Sequence, residues 1–221
     1  IGSVKEDFAV EKRISITPET TKKFTDLKFS VFLEKNYAGH LGITDEEYKN
    51  KGANLYDSAK EVLEKSEIIL KVNCPSNDEI NLIKDKSILI GQFDPILNKE
   101  IINKLTKKAI KIFLLNLLPR ITKAQSMDVL SSQGNLAGYR AVIESVEEFD
   151  KAVPMMMTAA GTVAPAKVLV IGAGVAGLQA IATAKRLGGI VSATDVRLAA
   201  KEQVESLGGK FLFVKSGENL E

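Results

Sequence analysis

The first half of the chain alternates compact apolar runs with longer stretches whose apolar residues recur at helical spacing. The runs FSVFLE (29–34), IILKVN (68–73), SILIGQF (87–93) and IKIFLLN (110–116) are β-branched or apolar and bounded by polar turns, which predicts strands. Helices are predicted between them, over 18–27, 57–66, 76–84 and 98–108, with Thr17, Asp57, Ser76 and Asn98 in cap position. Such alternation implies a mostly parallel sheet covered on both faces, an α/β domain. A polar loop, RITKAQSMDVLSSQ (120–133), follows. The pattern then predicts a helix over 135–150, with Leu136, Tyr139, Val142, Ile143 and Val146 on one stripe, as a connector between domains. The uncharged AVPMMMTAAGTVAPA (152–166) reads as buried packing and loop, its methionines filling space.

Residues 167–195, KVLVIGAGVAGLQAIATAKRLGGIVSATD, carry the sharpest signal. A buried strand is predicted over 168–171; Gly172, Gly174 and Gly177 follow, an Ala-rich helix opens, and a second strand ends at Asp195, eighteen residues after the third glycine. Gly172 permits the tight turn, Gly174 lets a pyrophosphate approach the backbone, and Gly177 lets helix and strand pack closely. The helix N-terminus offers unpaired N–H groups and a positive dipole end to phosphates. Asp195 can accept both hydroxyls of an adenosine ribose and would repel a 2′-phosphate, which favours NAD over NADP; Arg197 complicates this, because an arginine there could pair with that phosphate. A further helix (198–208) and a third strand (211–214, flanked by Lys210) complete only half of a doubly wound sheet. The last strand would be a raw apolar edge, so the chain reads as a piece of something longer. The fold class is therefore α/β, with two Rossmann-like domains of mostly parallel sheet, the second incomplete. The expected division is an N-terminal α/β domain at 1–133 and an NAD-binding Rossmann domain at 134–221.

Composition narrows the chemistry. The 221 residues are 45% apolar and 26% charged, with a net charge of +2 and no basic block, so nucleic acid is not an expected partner. The single cysteine, Cys74, cannot form an intrachain disulfide and is read as inert in a reducing, cytosolic setting. The single histidine, His40, lies in a Gly-flanked loop and reads as an exposed loop residue, which leaves no histidine for acid-base work. The one membrane-like stretch, 168–184, is explained by the glycine turn, so no direct membrane span is expected, and one cysteine with one loop histidine predicts no metal site.

The stretches 119–142, 154–188 and 192–211 resemble the NAD(H)-binding portion, the alpha subunit or its first segment, of the proton-translocating NAD(P) transhydrogenase family. Alanine dehydrogenase is a more distant relative of the same fold. The resemblance implies a two-domain NAD(H) carrier that forms a homodimer and docks on an NADP(H)-binding component. Hydride would pass between NADH and NADP+ on that partner, in Re/Si-specific fashion, while a transmembrane component couples the step to proton movement. The chain would be cytoplasmic, peripheral to the inner membrane through its partner subunits. It also implies site residues. Arg120, Ile121, Thr122 and Lys123 would line the nicotinamide end, Gln125 would face the partner's nucleotide, and Asp128 and Ser131 would hold the carboxamide and ribose. Of these, Arg120, Gln125 and Asp128 would act catalytically. Gly172, Gly174, Val175, Gly177, Asp195, Val196 and Arg197 would hold the pyrophosphate and adenosine end.

Hydride transfer between two nicotinamides needs apposition rather than a protein acid or base, which suits a chain without a candidate catalytic histidine. Read from its residues alone, the 120–133 loop is equally a helix-capping and turn-forming run. Two other functions stay open. Arg13 and Lys71 resemble substrate-binding residues of alanine dehydrogenase, but the stretch after SILIG reads QFDPI, without that family's histidine. They are therefore read as scaffold residues, paired or solvated. A non-catalytic NAD-binding regulatory module is the remaining alternative.

Overall fold

A computed structural model describes residues 1–213, and the chain divides into two compact units, Ile1–Met127 and Asp128–Glu221. The first contains β1 (Gly2–Ser3), α1 (Pro18–Asp26), β2 (Val31–Glu34), α2 (Asp45–Asn50), β3 (Ala53–Tyr56), α3 (Ala59–Lys65), β4 (Ile68–Leu70), α4 (Asn77–Leu82), β5 (Ile88–Gly91), α5 (Lys99–Lys107) and β6 (Lys111–Leu114). All four expected strands and all four expected helices form. β1, α2 and β3 are additions to the expected set; β1 has two residues and α2 six, too short to show a period. The six strands are parallel in the order β3-β2-β1-β4-β5-β6, so the strand order reverses between β1 and β4. Val31, Leu33, Ile69 and Leu89 are fully buried among the covering helices.

The caps follow local chemistry. Thr17 and Ser76 close capping boxes on α1 and α4 as their positions predicted. Asp57 does not cap α3: Ser58 does, accepting from the Glu61 N–H, while the Asp57 carboxylate pairs with Lys35 at 2.5 Å. Asn98 stands before α5 without a side-chain cap bond, because its amide donates instead to the Asp94 carbonyl at 2.8 Å.

The second unit contains α6 (Val129–Glu147), β7 (Met156–Thr158), β8 (Gly161–Val163), β9 (Lys167–Ile171), α7 (Val175–Arg186), β10 (Ile190–Thr194), α8 (Ala200–Ser206) and β11 (Lys210–Phe211). β9, β10 and β11 form a parallel sheet in the order β11-β10-β9, the half of a doubly wound sheet that the sequence predicted. Val214, the end of the expected third strand, lies outside the described residues.

Four expectations for this unit are corrected. α6 starts at Val129 rather than 135, because the Asp128 side chain accepts from the Ser131 N–H and launches the helix earlier. Its buried seam is Gly138 and Val142, while Leu136 and Tyr139 are exposed. The stretch 152–166 is not buried packing: β7 and β8 pair as an antiparallel hairpin, and Met155, Met156 and Met157 are exposed. β9 is not buried throughout: Val168 and Val170 pack on the core from one face of the strand, while Leu169 and Ile171, on the other face, are exposed. No helix among the described residues is long and apolar enough to cross a membrane; 168–184 splits into strand, turn and helix.

Candidate functional site

In the second unit the chain leaves β9 through Gly172, whose φ of +94° favours glycine, and enters α7 through Gly174. At Gly172 and Gly174 an added Cβ would meet nothing within 4 Å, so open space lies above the turn. At Gly177 the same atom would stand 1.8 Å from the Gly172 carbonyl oxygen, which only glycine avoids. No side chain caps α7, so its first N–H groups face that open space with the positive end of a 12-residue helix behind them. Unpaired N–H groups at the positive end of a helix are the chemistry that could receive an anion such as a pyrophosphate.

The Gly172 N–H donates to the Thr194 carbonyl at 2.8 Å, extending the β9–β10 ladder by one step and setting the turn beside the end of β10. The next amide, Ala173, then donates to Asp195 Oδ2 at 2.7 Å. Asp195 also accepts from the Arg197 backbone at 2.8 Å and pairs with its guanidinium at 3.0 Å. The Arg197 guanidinium, that backbone donor and the Ala173 N–H together hold the carboxyl well below the usual aspartate range. Gly172, Gly174, Gly177, Asp195 and Arg197 are thus brought together, with Val175 on the first turn of α7. Val196, between Asp195 and Arg197, is exposed. α6 runs beside this turn. A Cβ on Gly138 would lie 2.0 Å from the Ala176 carbonyl oxygen, so the two helices touch backbone to backbone.

Sequence reasoning missed Ala173 and Gly138. Ala173 works through its amide, which no side-chain pattern reveals. Gly138 had a readable signal, Gly134 and Gly138 four apart on one helix face.

The polar loop is split between the units. Arg120 to Gln125 close the first, where Thr122–Met127 form a 3₁₀ helix anchored by buried Ala124, and Arg120, Ile121, Thr122, Lys123 and Gln125 are exposed. Asp128 and Ser131 open the second. Ser131 donates its N–H to Asp128 Oδ1 at 2.9 Å and its hydroxyl to Oδ2 at 2.6 Å. The capping reading of these two residues is therefore realised in the fold.

A second polar cluster sits in the first unit, where the chain leaves β1 and β4 at the reversal of strand order, the place where open α/β sheets take ligands. Its own side chains neutralise it. Lys71, with its side chain 4% exposed, lies 2.6 Å from Glu79 and 3.8 Å from Glu6. Burial pushes the Glu6 carboxyl up, against the pull of Lys71. Arg13 is held by both oxygens of Glu11, at 2.8 and 2.6 Å, and reaches Gln92 at 3.5 Å. Both scaffold residues are paired, as expected. Cys74 beside them has its thiol pushed up by burial to about 11, which leaves no thiolate near neutral pH. His40 is exposed, stacks on Phe8 at 3.8 Å and contacts the Lys12 carbonyl. Among the described residues no group of His, Cys, Asp or Glu could hold a metal ion.

Comparison with known proteins gives a consistent set. Residues 2–137 match the family model for the alanine dehydrogenase/PNT N-terminal domain, and residues 141–220 match that for the alanine dehydrogenase/PNT C-terminal domain. The chain is 51% identical over 219 residues to the first segment of the NAD(P) transhydrogenase alpha subunit of Rhodospirillum rubrum, covering 97% of this chain and 57% of that one. Among solved structures it is similar to a transhydrogenase from Sinorhizobium meliloti, with a TM-score of 0.91 and 49% identity, covering 96% of this chain and 64% of that one. An L-alanine dehydrogenase shares the fold at a TM-score of 0.81 and 22% identity, covering 98% of this chain and 62% of that one. The chain thus spans somewhat over half the length of the relatives it matches.

Proposed function

The chain belongs to the alanine dehydrogenase/PNT family, and from that premise we propose that it is the NAD(H)-binding component of a proton-translocating NAD(P) transhydrogenase. One observation carries the reading: an uncapped glycine turn and helix N-terminus hydrogen-bonded, through Ala173, to the strand-end carboxylate of Asp195. NAD(H), when bound, supplies the nicotinamide that carries the hydride. The chain's own residues position it. The amides of the Gly172–Gly177 turn receive the pyrophosphate, with Val175 beside it, and Asp195 to Arg197 receive the adenosine end, where the carboxylate selects against a 2′-phosphate. Arg120 to Lys123 grip the nicotinamide end, and Asp128 and Ser131 grip the carboxamide and ribose. Gln125 faces NADP(H) on the partner component. None of these residues moves a proton; their contribution is orientation at near-attack distance and a fixed electrostatic setting. Assembly as a homodimer, docked on an NADP(H)-binding component and on a transmembrane component that moves protons, completes the proposal and makes the chain cytoplasmic and peripheral to the inner membrane.

The test mixes the full-length protein with the family's NADP(H)-binding domain and follows hydride transfer from NADPH to an NAD analogue. Transfer is the expected result. An inert mixture that still binds NADH would overturn the reading in favour of a regulatory module. Gln125→Asn should slow transfer far more than it weakens NADH binding, because its proposed partner is on the other protein; equal losses would remove it from that role.

A further inference from the structure

The Asp195 carboxylate has no acceptor position left to offer. Oδ1 accepts from the Arg197 N–H at 2.8 Å and from Arg197 Nε at 3.0 Å; Oδ2 accepts from the Ala173 N–H at 2.7 Å and from Arg197 Nη2 at 3.1 Å. A carboxylate presents about four lone-pair sites, and four donors fill them. Two of the donors are backbone amides that the fold fixes, one by the Gly172–Thr194 ladder step and one by the turn after β10. The other two belong to one side chain. That side chain is 61% exposed, whereas the carboxylate side chain is 6% exposed, so the movable member of the pair is on the solvent side.

The geometry points to Arg197 as an internal stand-in for the adenosine ribose. This rests on the reading of Asp195 as the ribose acceptor. A vicinal diol would donate one hydrogen bond to each oxygen of the carboxylate, and Nε–H and Nη2–H already make that pair of bonds. The backbone donors stay, so the ribose enters only as the guanidinium leaves. The exchange lowers apparent affinity by the fraction of molecules in which the carboxylate is uncovered; it does not block the site. The displaced cation regains water and remains two residues from the carboxylate, where it also decides how a 2′-phosphate is received. Asp195 repels that dianion and Arg197 attracts it. Arg197 therefore sets both the affinity for NAD(H) and the discrimination against NADP(H).

The experiment titrates full-length protein with NADH, ADP-ribose and NADPH by calorimetry, comparing wild type with Arg197→Ala, Arg197→Lys and Asp195→Asn. Arg197→Ala should bind NADH and ADP-ribose roughly two- to fivefold more tightly, the scale of an exposed ion pair. The same variant should bind NADPH more weakly than wild type does. Arg197→Lys keeps the charge but cannot span both oxygens, and should fall between the two. In nitrogen-detected NMR, the Arg197 Nε–H should be protected in the free protein and lose protection on addition of ADP-ribose. Unchanged or weaker NADH binding by Arg197→Ala, with Asp195→Asn still impaired, would overturn the stand-in role while leaving the binding site in place. Unchanged NADH binding by Asp195→Asn would overturn both.

Discussion

Asp195 joins the glycine turn to the strand end, and its substitution separates two effects. Asp195→Ala should weaken NADH binding by about ten- to a hundredfold, the scale of lost hydrogen bonds to a charged group; a titration showing wild-type affinity would move the adenosine site elsewhere. Its lowered carboxyl also has a pH signature. The stabilisation is fully present above the ordinary aspartate value of 3.8 and is lost as pH falls from there toward the folded value. Glu6 runs the other way. Burial raises its carboxyl above the ordinary 4.5, so its contribution is fully present below that value and is lost as pH rises through the folded one. Denaturation curves should show wild type losing stability relative to Glu6→Gln over that rise, then a constant difference. A parallel pair of curves would mean that Glu6 is solvated. Lys71→Met leaves Glu6 and Glu79 uncompensated and should cost about 3–5 kcal/mol by chemical denaturation. A loss under about 1 kcal/mol, the scale of an exposed pair, would show the cluster to be wet.

Helices α6 and α7 meet where two effects on one glycine oppose each other. On helix propensity alone, Gly138→Ala should stabilise α6 by about 1 kcal/mol. The added carbon would lie 2.0 Å from the Ala176 carbonyl oxygen, a backbone atom that cannot turn aside as a side chain would. Overpacking against a fixed wall costs about 1–3 kcal/mol, so net destabilisation and weaker NADH binding are expected together. A more stable variant would show that α6 slides freely. The same elements mark what was legible. The glycine turn was readable because each glycine answers a local backbone demand. The start of α6 was not, because Asp128, Val129 and Leu130 fit a loop as well as a helix until the Asp128–Ser131 cap is seen. Nor was the exposed hairpin: its methionines and alanines are apolar in either setting, and only the fold determines which side they face.

Each of the two units has a place at which strand order or a glycine turn invites a ligand, and the two differ in what fills it. In the second unit the space above the turn is open. In the first, the reversal between β1 and β4 is occupied by the chain's own ion pairs: Lys71 lies between Glu79 and Glu6, and the Nε–Nη2 edge of Arg13 is taken by both oxygens of Glu11. Full-length protein incubated with NAD and a panel of L-amino acids should accordingly form no NADH. Formation of NADH would establish the amino-acid dehydrogenase reading instead.

The alternation of strands and helices, the glycine turn and its acidic strand end were determined by the sequence alone, because apolar period, turn glycines and their spacing are displayed by the residue types themselves. The tertiary structure alone decided three things. Arg13 and Lys71 became ion-pair partners of Glu11, Glu6 and Glu79 rather than free binding groups. Gly138 became the contact that holds α6 against α7. Arg197, two residues from Asp195 in sequence, became the occupant of both its carboxylate oxygens. All three depend on burial or on hydrogen-bond geometry, which side-chain order along a chain does not encode.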